Sequence, residues 1–199
     1  MKIRSPWVVW ALGCLPIAFI ISQIIGQHLG PDPAKTLVNE LGSWALRWLL
    51  LCLLITPLRY WTHDSGWMPW RRPLGLLAFV YAVLHFLAYV FLLFGADWRH
   101  IAEEIRHRPY ILVGLSAWLL LLPLAWTSTR AWQKRLKARW VKLHQLVYPA
   151  SGLAVLHGVW VQKLGIFGFW PYIAAWLGLM IVRIFIKLTR NRHQTAKNG

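Results

Sequence analysis

The sequence predicts an all-α integral membrane protein, a six-helix transmembrane bundle with both termini in the cytoplasm. Composition is the first reason. The 199 residues are 58% hydrophobic and only 14% charged, with a mean hydropathy of +0.47, which is too apolar for an ordinary soluble domain. The second is that the apolar residues gather into runs of bilayer-crossing length, about 17–25 residues. The third is that the basic residues cluster in alternate connections between those runs, as cytoplasmic loops do. Fifteen tryptophans suit the two membrane–water interfaces.

The runs are taken in order. Trp7–Ile25 follows Lys2 and Arg4 and reads as an uncleaved first helix, since no small-residue cleavage site comes after it. Leu41–Leu58 is the least regular span because Arg47 lies inside it. Leu74–Phe94, Tyr110–Trp126, Leu143–Val161 and Phe169–Ile186 complete the set. Each must be a helix, because a lone strand leaves its backbone groups unsatisfied in lipid. The longest segment between spans is Thr127–Lys142, so residues 1–199 form one transmembrane domain with no room for a soluble one. No GxGxxG or Walker A motif is present, and no internal repeat of the kind that marks transporters is expected.

The formal net charge is +16, and its placement excludes nucleic acid as the partner. With the N-terminus inside, sixteen basic residues fall on the cytoplasmic side, in clusters such as Arg71–Arg72 and Arg130–Lys142, against five outside. Asp32, Glu40, Asp97, Glu103 and Glu104 fall outside, so the outer face is near neutral and the inner face suits anionic lipid. Cys14 and Cys52 sit in apolar runs without a CxxC or CxxCH pattern, which excludes a disulfide framework, thiolate zinc and covalently attached haem.

Eight histidines are present. His28, His63, His100, His107 and His193 fall in loops or the tail and read as solvated. His85, His144 and His157 lie in or at the edge of spans, where an ionisable residue is costly and a functional candidate. At a rise of about 1.5 Å per residue, His85 lies roughly 1.5 Å and His157 roughly 7.5 Å outward of their span centres, while His144 lies roughly 12 Å inward. Two level imidazoles on neighbouring helices can clamp a haem iron between them. Proton relay and plain helix packing are the competing roles. Ala78, Ala82 and Ala88 near His85, with Ala154 and Gly158 near His157, would leave room for a flat ring, and Tyr81 and Tyr89 share the His85 face. His144 and His157 are thirteen residues apart, roughly 140° on an ideal helix. A kink at Pro149 would bring them toward one side. Arg47 and Arg183 are expected to snorkel.

The runs "FVYAVLHFLAYVF" and "RWVKLHQLVYPASGLAVLHGVWVQK", with "PWRRPLG" leading into the third span and "LPLAWTS" closing the fourth, resemble the MsrQ (YedZ) family of the ferric-reductase-like transmembrane group. The resemblance covers nearly the whole chain, and "KLHQLVY" is its most specific part. It implies a b-haem subunit in the bacterial inner membrane. Such a subunit passes electrons from the quinone pool to MsrP, a periplasmic molybdopterin enzyme that repairs oxidised methionines. FMN is associated with the family, and its haem histidines map onto His85, His144 and His157. Relatives with two haems carry a second histidine on the third span, where this chain offers Arg71 and Arg72. One haem is expected, and His144 is the candidate ligand for a second. The alternatives are a ferric reductase, a cytochrome b561-like quinol oxidase, or a small proton- or metal-coupled transporter.

Overall fold

The computed structural model describes residues 5–162 and 166–198, with side chains through Thr189. Lys2, Arg4 and Lys163, and the side chains of Arg190, Arg192, His193 and Lys197, on which part of the charge count rests, lie outside the described residues. The described residues are all helical and contain no strand: α1 Trp7–Ile25, α2 Pro33–Thr62, α3 Met68–Ala88, α4 Trp98–His107, α5 Pro109–Trp126, α6 Arg130–Leu136, α7 Ala138–Leu143, α8 Val147–Val161 and α9 Ile166–Asn198. Among the described residues, five stretches are long and apolar enough to cross a membrane: Trp7–Ile25, Pro33–Thr62, Ser65–Leu93, Pro109–Trp126 and Ile166–Thr189.

The fifth predicted span is built differently from the other five. A 3-10 turn over His144–Leu146 separates α7 from the 15-residue α8. Pro149 therefore sits in the first turn of α8, where its missing N–H has no intrahelical partner to lose. It marks a restart of the helix and not an interior kink.

Directions follow from the contacts. Val38 on α2 meets His85 on α3, and Cys52 further along α2 meets Arg71, so this pair is antiparallel. Tyr110 on α5 meets His157 on α8, while Thr127 just past α5 accepts from Trp140 on α7, so α5 and α8 are antiparallel too. Helix α9 bonds α2 through Arg47 and Tyr172 early in both and through Arg183 and Leu53 later in both, so these two are parallel. Helix α1 lies along α3, where Gly13 receives Leu77 and the Gly13 carbonyl accepts from Tyr81 at 2.7 Å.

Helix α2 is the centre. It carries more buried residues than any other helix described, among them Trp48, Leu49, Leu53 and Ile55. The outward faces stay apolar, with Phe19, Phe91, Trp160 and Ile181 all exposed. Lipid is as apolar as these side chains, so packing and interhelical hydrogen bonds must hold the bundle, not removal of apolar area from water. Several of the bonds just described cross between helices and serve that end.

Three helices occupy what the sequence reads as loops. Asp97 caps α4 by accepting from the backbone of Arg99 and His100, and Thr129 caps α6 by accepting from Trp132. Helix α3 ends in a π-helical turn over Tyr89–Leu93, and Gly95 and Ala96 then take left-handed backbone at φ 54° and 63°. That turn swings the chain into α4. One end of the bundle thus carries α4, and the other carries α6 and α7.

Candidate functional site

Two helical hairpins, α2–α3 and α5–α8, present one histidine each to the space between them. The rings of His85 and His157 lie 6.2 Å apart between centroids, with their planes at 77°. The depth argument made these two level, and the structure sets them beside each other. His144 is not with them. It lies at the α6/α7 end, its ring stacked on Trp140 at 3.9 Å.

Each of the paired rings is held the same way. His85 Nδ1 donates to the Val38 carbonyl at 2.8 Å, and His157 Nδ1 donates to the Tyr110 carbonyl at 2.8 Å. A carbonyl only accepts, so each Nδ1 carries the proton and each Nε2 keeps its lone pair. A backbone acceptor behind an imidazole is the usual second support of a metal ligand, since it fixes the tautomer and raises ligand basicity. One helical turn past each acceptor stands a glycine. A Cβ on Gly42 would come within 2.9 Å of His85 Nδ1, and one on Gly114 within 2.7 Å of His157 Nδ1.

The two sets are copies. Val38 to Tyr110, Gly42 to Gly114 and His85 to His157 are each a step of 72 residues, and both histidines reach back 47 residues to their acceptor. The string AVLH stands at 82–85 and again at 154–157. This corrects the expectation of no internal repeat. The two hairpins run in the same sense, so they form a parallel repeat about an axis along the bundle. The repeated string could have revealed it, whereas the carbonyls could not, because every residue has one.

The same step locates the counterpart of His144. It is Arg72, and Arg71 beside it is within electrostatic reach of the His144 ring. His144 Nδ1 donates to the Trp140 carbonyl one turn back on its own helix, at 3.1 Å. The backbone of Leu124 on α5 also faces this ring, and among the described residues no glycine cradles it.

Several sequence expectations change. Tyr81 is wholly buried and its hydroxyl is taken by Gly13, so it is not free for a cofactor edge. Tyr89 keeps a buried hydroxyl with no hydrogen-bond partner, in the π turn beyond His85. The space at Gly158, expected to leave room for a flat ring, receives the Phe169 ring, which a Cβ would meet at 2.4 Å. Arg47 does not snorkel freely: its Nε donates to the Tyr172 hydroxyl at 3.0 Å and its guanidinium lies over the Trp44 ring. Arg183 also turns inward, donating to the Tyr148 hydroxyl at 2.8 Å and to the Leu53 carbonyl. At the other end, Arg108 pairs with Glu104 at 2.7 Å and donates to the Tyr110 hydroxyl, which together hold its guanidinium above the ordinary value.

The donor set fits a haem better than a bare ion. Among the described residues no three histidines, cysteines or carboxylates gather around one point. A tetrahedral ion needs three or four protein donors. A pair of opposed imidazoles is what a macrocycle with its own four nitrogens requires.

Comparison with known proteins gives the family. Residues 41–155, more than half the chain and including all of α3 and α5, match the family described as ferric reductase like transmembrane component. The chain is 46% identical over 167 residues to the protein-methionine-sulfoxide reductase haem-binding subunit MsrQ of Xanthomonas axonopodis pv. citri, which covers 81% of this chain and 77% of that protein. The MsrQ of Xanthomonas euvesicatoria pv. vesicatoria is 47% identical with the same coverage. That of Xanthomonas campestris pv. campestris is 52% identical over 135 residues, 68% of this chain and 62% of the relative's length.

Proposed function

This chain belongs to the MsrQ family of the ferric-reductase-like transmembrane group, and on that premise we propose that it is a b-haem electron-transfer subunit. It takes electrons from membrane quinol and delivers them to a periplasmic molybdopterin reductase, MsrP, for repair of oxidised methionines. The observation that carries the reading is the duplicated imidazole pair, His85 and His157, 6.2 Å apart with both Nδ1 protons tied to backbone carbonyls.

In this reading α8 crosses the membrane with the five longer stretches, giving six spans in the bacterial inner membrane and both termini in the cytoplasm. The α4 end faces the periplasm and the α6/α7 end faces the cytoplasm, with its basic residues against anionic lipid. Haem b held between His85 and His157 supplies a one-electron carrier near the periplasmic side. The protein sets its position and potential, and no side chain makes or breaks a substrate bond. The two Nε2 lone pairs would hold the haem, and the two carbonyls keep the rings in register. The apolar walls keep water from the site. The unpartnered Tyr89 hydroxyl is a donor available to a carboxylate at the periplasmic edge. His144, with Arg71 near it, supports the cytoplasmic half, where quinol donates and where a second haem would be held. MsrP docks on the outer loop Gly95–Pro109, whose amphipathic helix α4 carries Glu103 and Glu104.

The test is a visible spectrum of the protein purified from haem-replete membranes. A Soret band that shifts on dithionite reduction is expected, and it should be lost from His85→Ala and His157→Ala. A colourless, folded preparation would sink the proposal and turn attention to a proton- or ion-coupled role for the histidines. A haem protein that reduces iron chelates but not a molybdopterin reductase would favour a ferric reductase.

A further inference from the structure

We infer that Gly42 and Gly114 are positioning residues for the two imidazoles, and that through them the partner helices set the axial geometry and potential of the bound haem. The inference rests on the reading of His85 and His157 as haem ligands.

Both glycines lie inside helices, α2 and α5, at ordinary helical backbone angles. The backbone therefore has no need of glycine there, and glycine weakens a helix relative to alanine. What they provide is room. A Cβ on Gly42 would stand 2.9 Å from His85 Nδ1 and 3.1 Å from its Cε1. A Cβ on Gly114 would stand 2.7, 2.8 and 3.0 Å from Nδ1, Cε1 and Cγ of His157. Contacts that short do not persist, so an added methyl displaces the ring. Gly13 and Gly158 are as tightly filled, by Leu77 and Phe169, whereas Gly75 and Gly178 are not, and only Gly42 and Gly114 of these face a membrane-depth histidine. A Cβ on Gly75 would meet only Cys52 Sγ at 3.5 Å, and one on Gly178 would meet nothing within 4 Å.

The acceptor and the gap are placed together. Val38 and Gly42 are four residues apart on α2, as Tyr110 and Gly114 are on α5, so each pair stacks along one helix face. The ring lies over the glycine and its Nδ1 reaches back one turn to the carbonyl. A ring pushed off the glycine loses that bond. It also changes the 77° between the two ring planes, which the two cradles fix jointly. The bond makes the imidazole a stronger donor and so favours ferric iron. Its loss moves the haem potential upward. The angle between axial imidazole planes governs the anisotropy of the low-spin ferric EPR signal, which gives a second readout.

The experiment compares the full chain, purified with its haem, as wild type, Gly42→Ala, Gly114→Ala and Gly178→Ala. The first two variants are expected to raise the midpoint potential and to move the low-spin EPR signal, while Gly178→Ala leaves both where they were. Haem-loaded Gly42→Ala and Gly114→Ala with an unchanged potential and signal would overturn the inference. Loss of folding is covered by a second comparison, read as folded yield on size exclusion in a His85→Gly background. There Gly42→Ala should cost nothing, because no ring fills the cradle, although it lowers the yield of the wild type. Equal losses in both backgrounds would show that Gly42 serves helix packing alone and would also overturn the inference. A wild type without a Soret band would overturn the haem reading and not the cradle, which the yield comparison measures on its own.

Discussion

The two ends of the α2–α3 and α5–α8 core are built from the same repeat and are not alike. Thirteen residues before His157 stands His144, and thirteen before His85 stands Arg72. At the α4 end both positions are histidine, each ring is anchored on a neighbouring helix, and each has a glycine beneath it. At the other end one position is histidine and the other arginine. The lone ring is bonded to the Trp140 carbonyl one turn back and stacked on that indole, with the Leu124 backbone of α5 alongside. Cations gather there instead: Arg71 near His144 and Cys52, and Arg183 tied to Tyr148 and Leu53. A duplicated scaffold thus yields one symmetric ligand pair and one asymmetric, positively charged site. The paired imidazoles take their bonds from a second helix, whereas the 3.1 Å bond of His144 comes from its own preceding turn.

The comparison is easiest to break at its strongest point. His85→Ala and His157→Ala should each remove most of the bound haem, read as Soret absorbance per protein. Retention of more than half in either would mean that the symmetric pair is not the principal site. Next, His144→Ala should remove no more than half of the haem. Complete loss, matching the other two, would erase the distinction between the ends.

A smaller effect is expected from Glu103→Lys with Glu104→Lys. Reversing two charges on α4 should slow electron delivery to the periplasmic reductase and change its dependence on salt, because rim charges act mainly on association rate. Haem content should stay as it was, and unchanged delivery would move the docking surface elsewhere. The smallest is Tyr148→Phe, which removes one bond from Arg183 and should cost about 1 kcal/mol. A thermal shift assay should show a drop of a few degrees with the Soret band intact. A lost Soret band would tie this polar corner to the haem more directly than the geometry does.

Much of the fold was legible because hydropathy alone sets span length. Trp7–Ile25 matches the sequence reading at both ends, and Pro109–Trp126 differs by one residue. Helix α2 runs eight residues earlier and four later than its apolar run, because Pro33 with the Asp32 cap starts it and it continues through Pro57 to the left-handed His63. Helices α4, α6 and α7 were not legible, since their polar sequences match loops in composition. Their caps at Asp97 and Thr129 were the only local signal for α4 and α6. At the site, the depth argument singled out His85 and His157, because position along a helix converts directly to height. The glycines that admit the two imidazoles were not legible, because they lie on the neighbouring helices. A ring points away from its own helix, so the gap that admits it belongs to the neighbour.

What the sequence determined by itself is therefore one-dimensional: which segments are apolar enough to span, which residues are costly at depth, and which histidines share a level. Two copies of AVLH, 72 residues apart, were also written there. The tertiary structure decided what those levels meet. It turned Arg47 and Arg183 inward to tyrosines, spent Tyr81 on Gly13, and set Gly42 and Gly114 against the two rings. The reason is physical: depth depends on counting residues along one helix, whereas contact depends on the rotation and approach of two, which only their packing fixes.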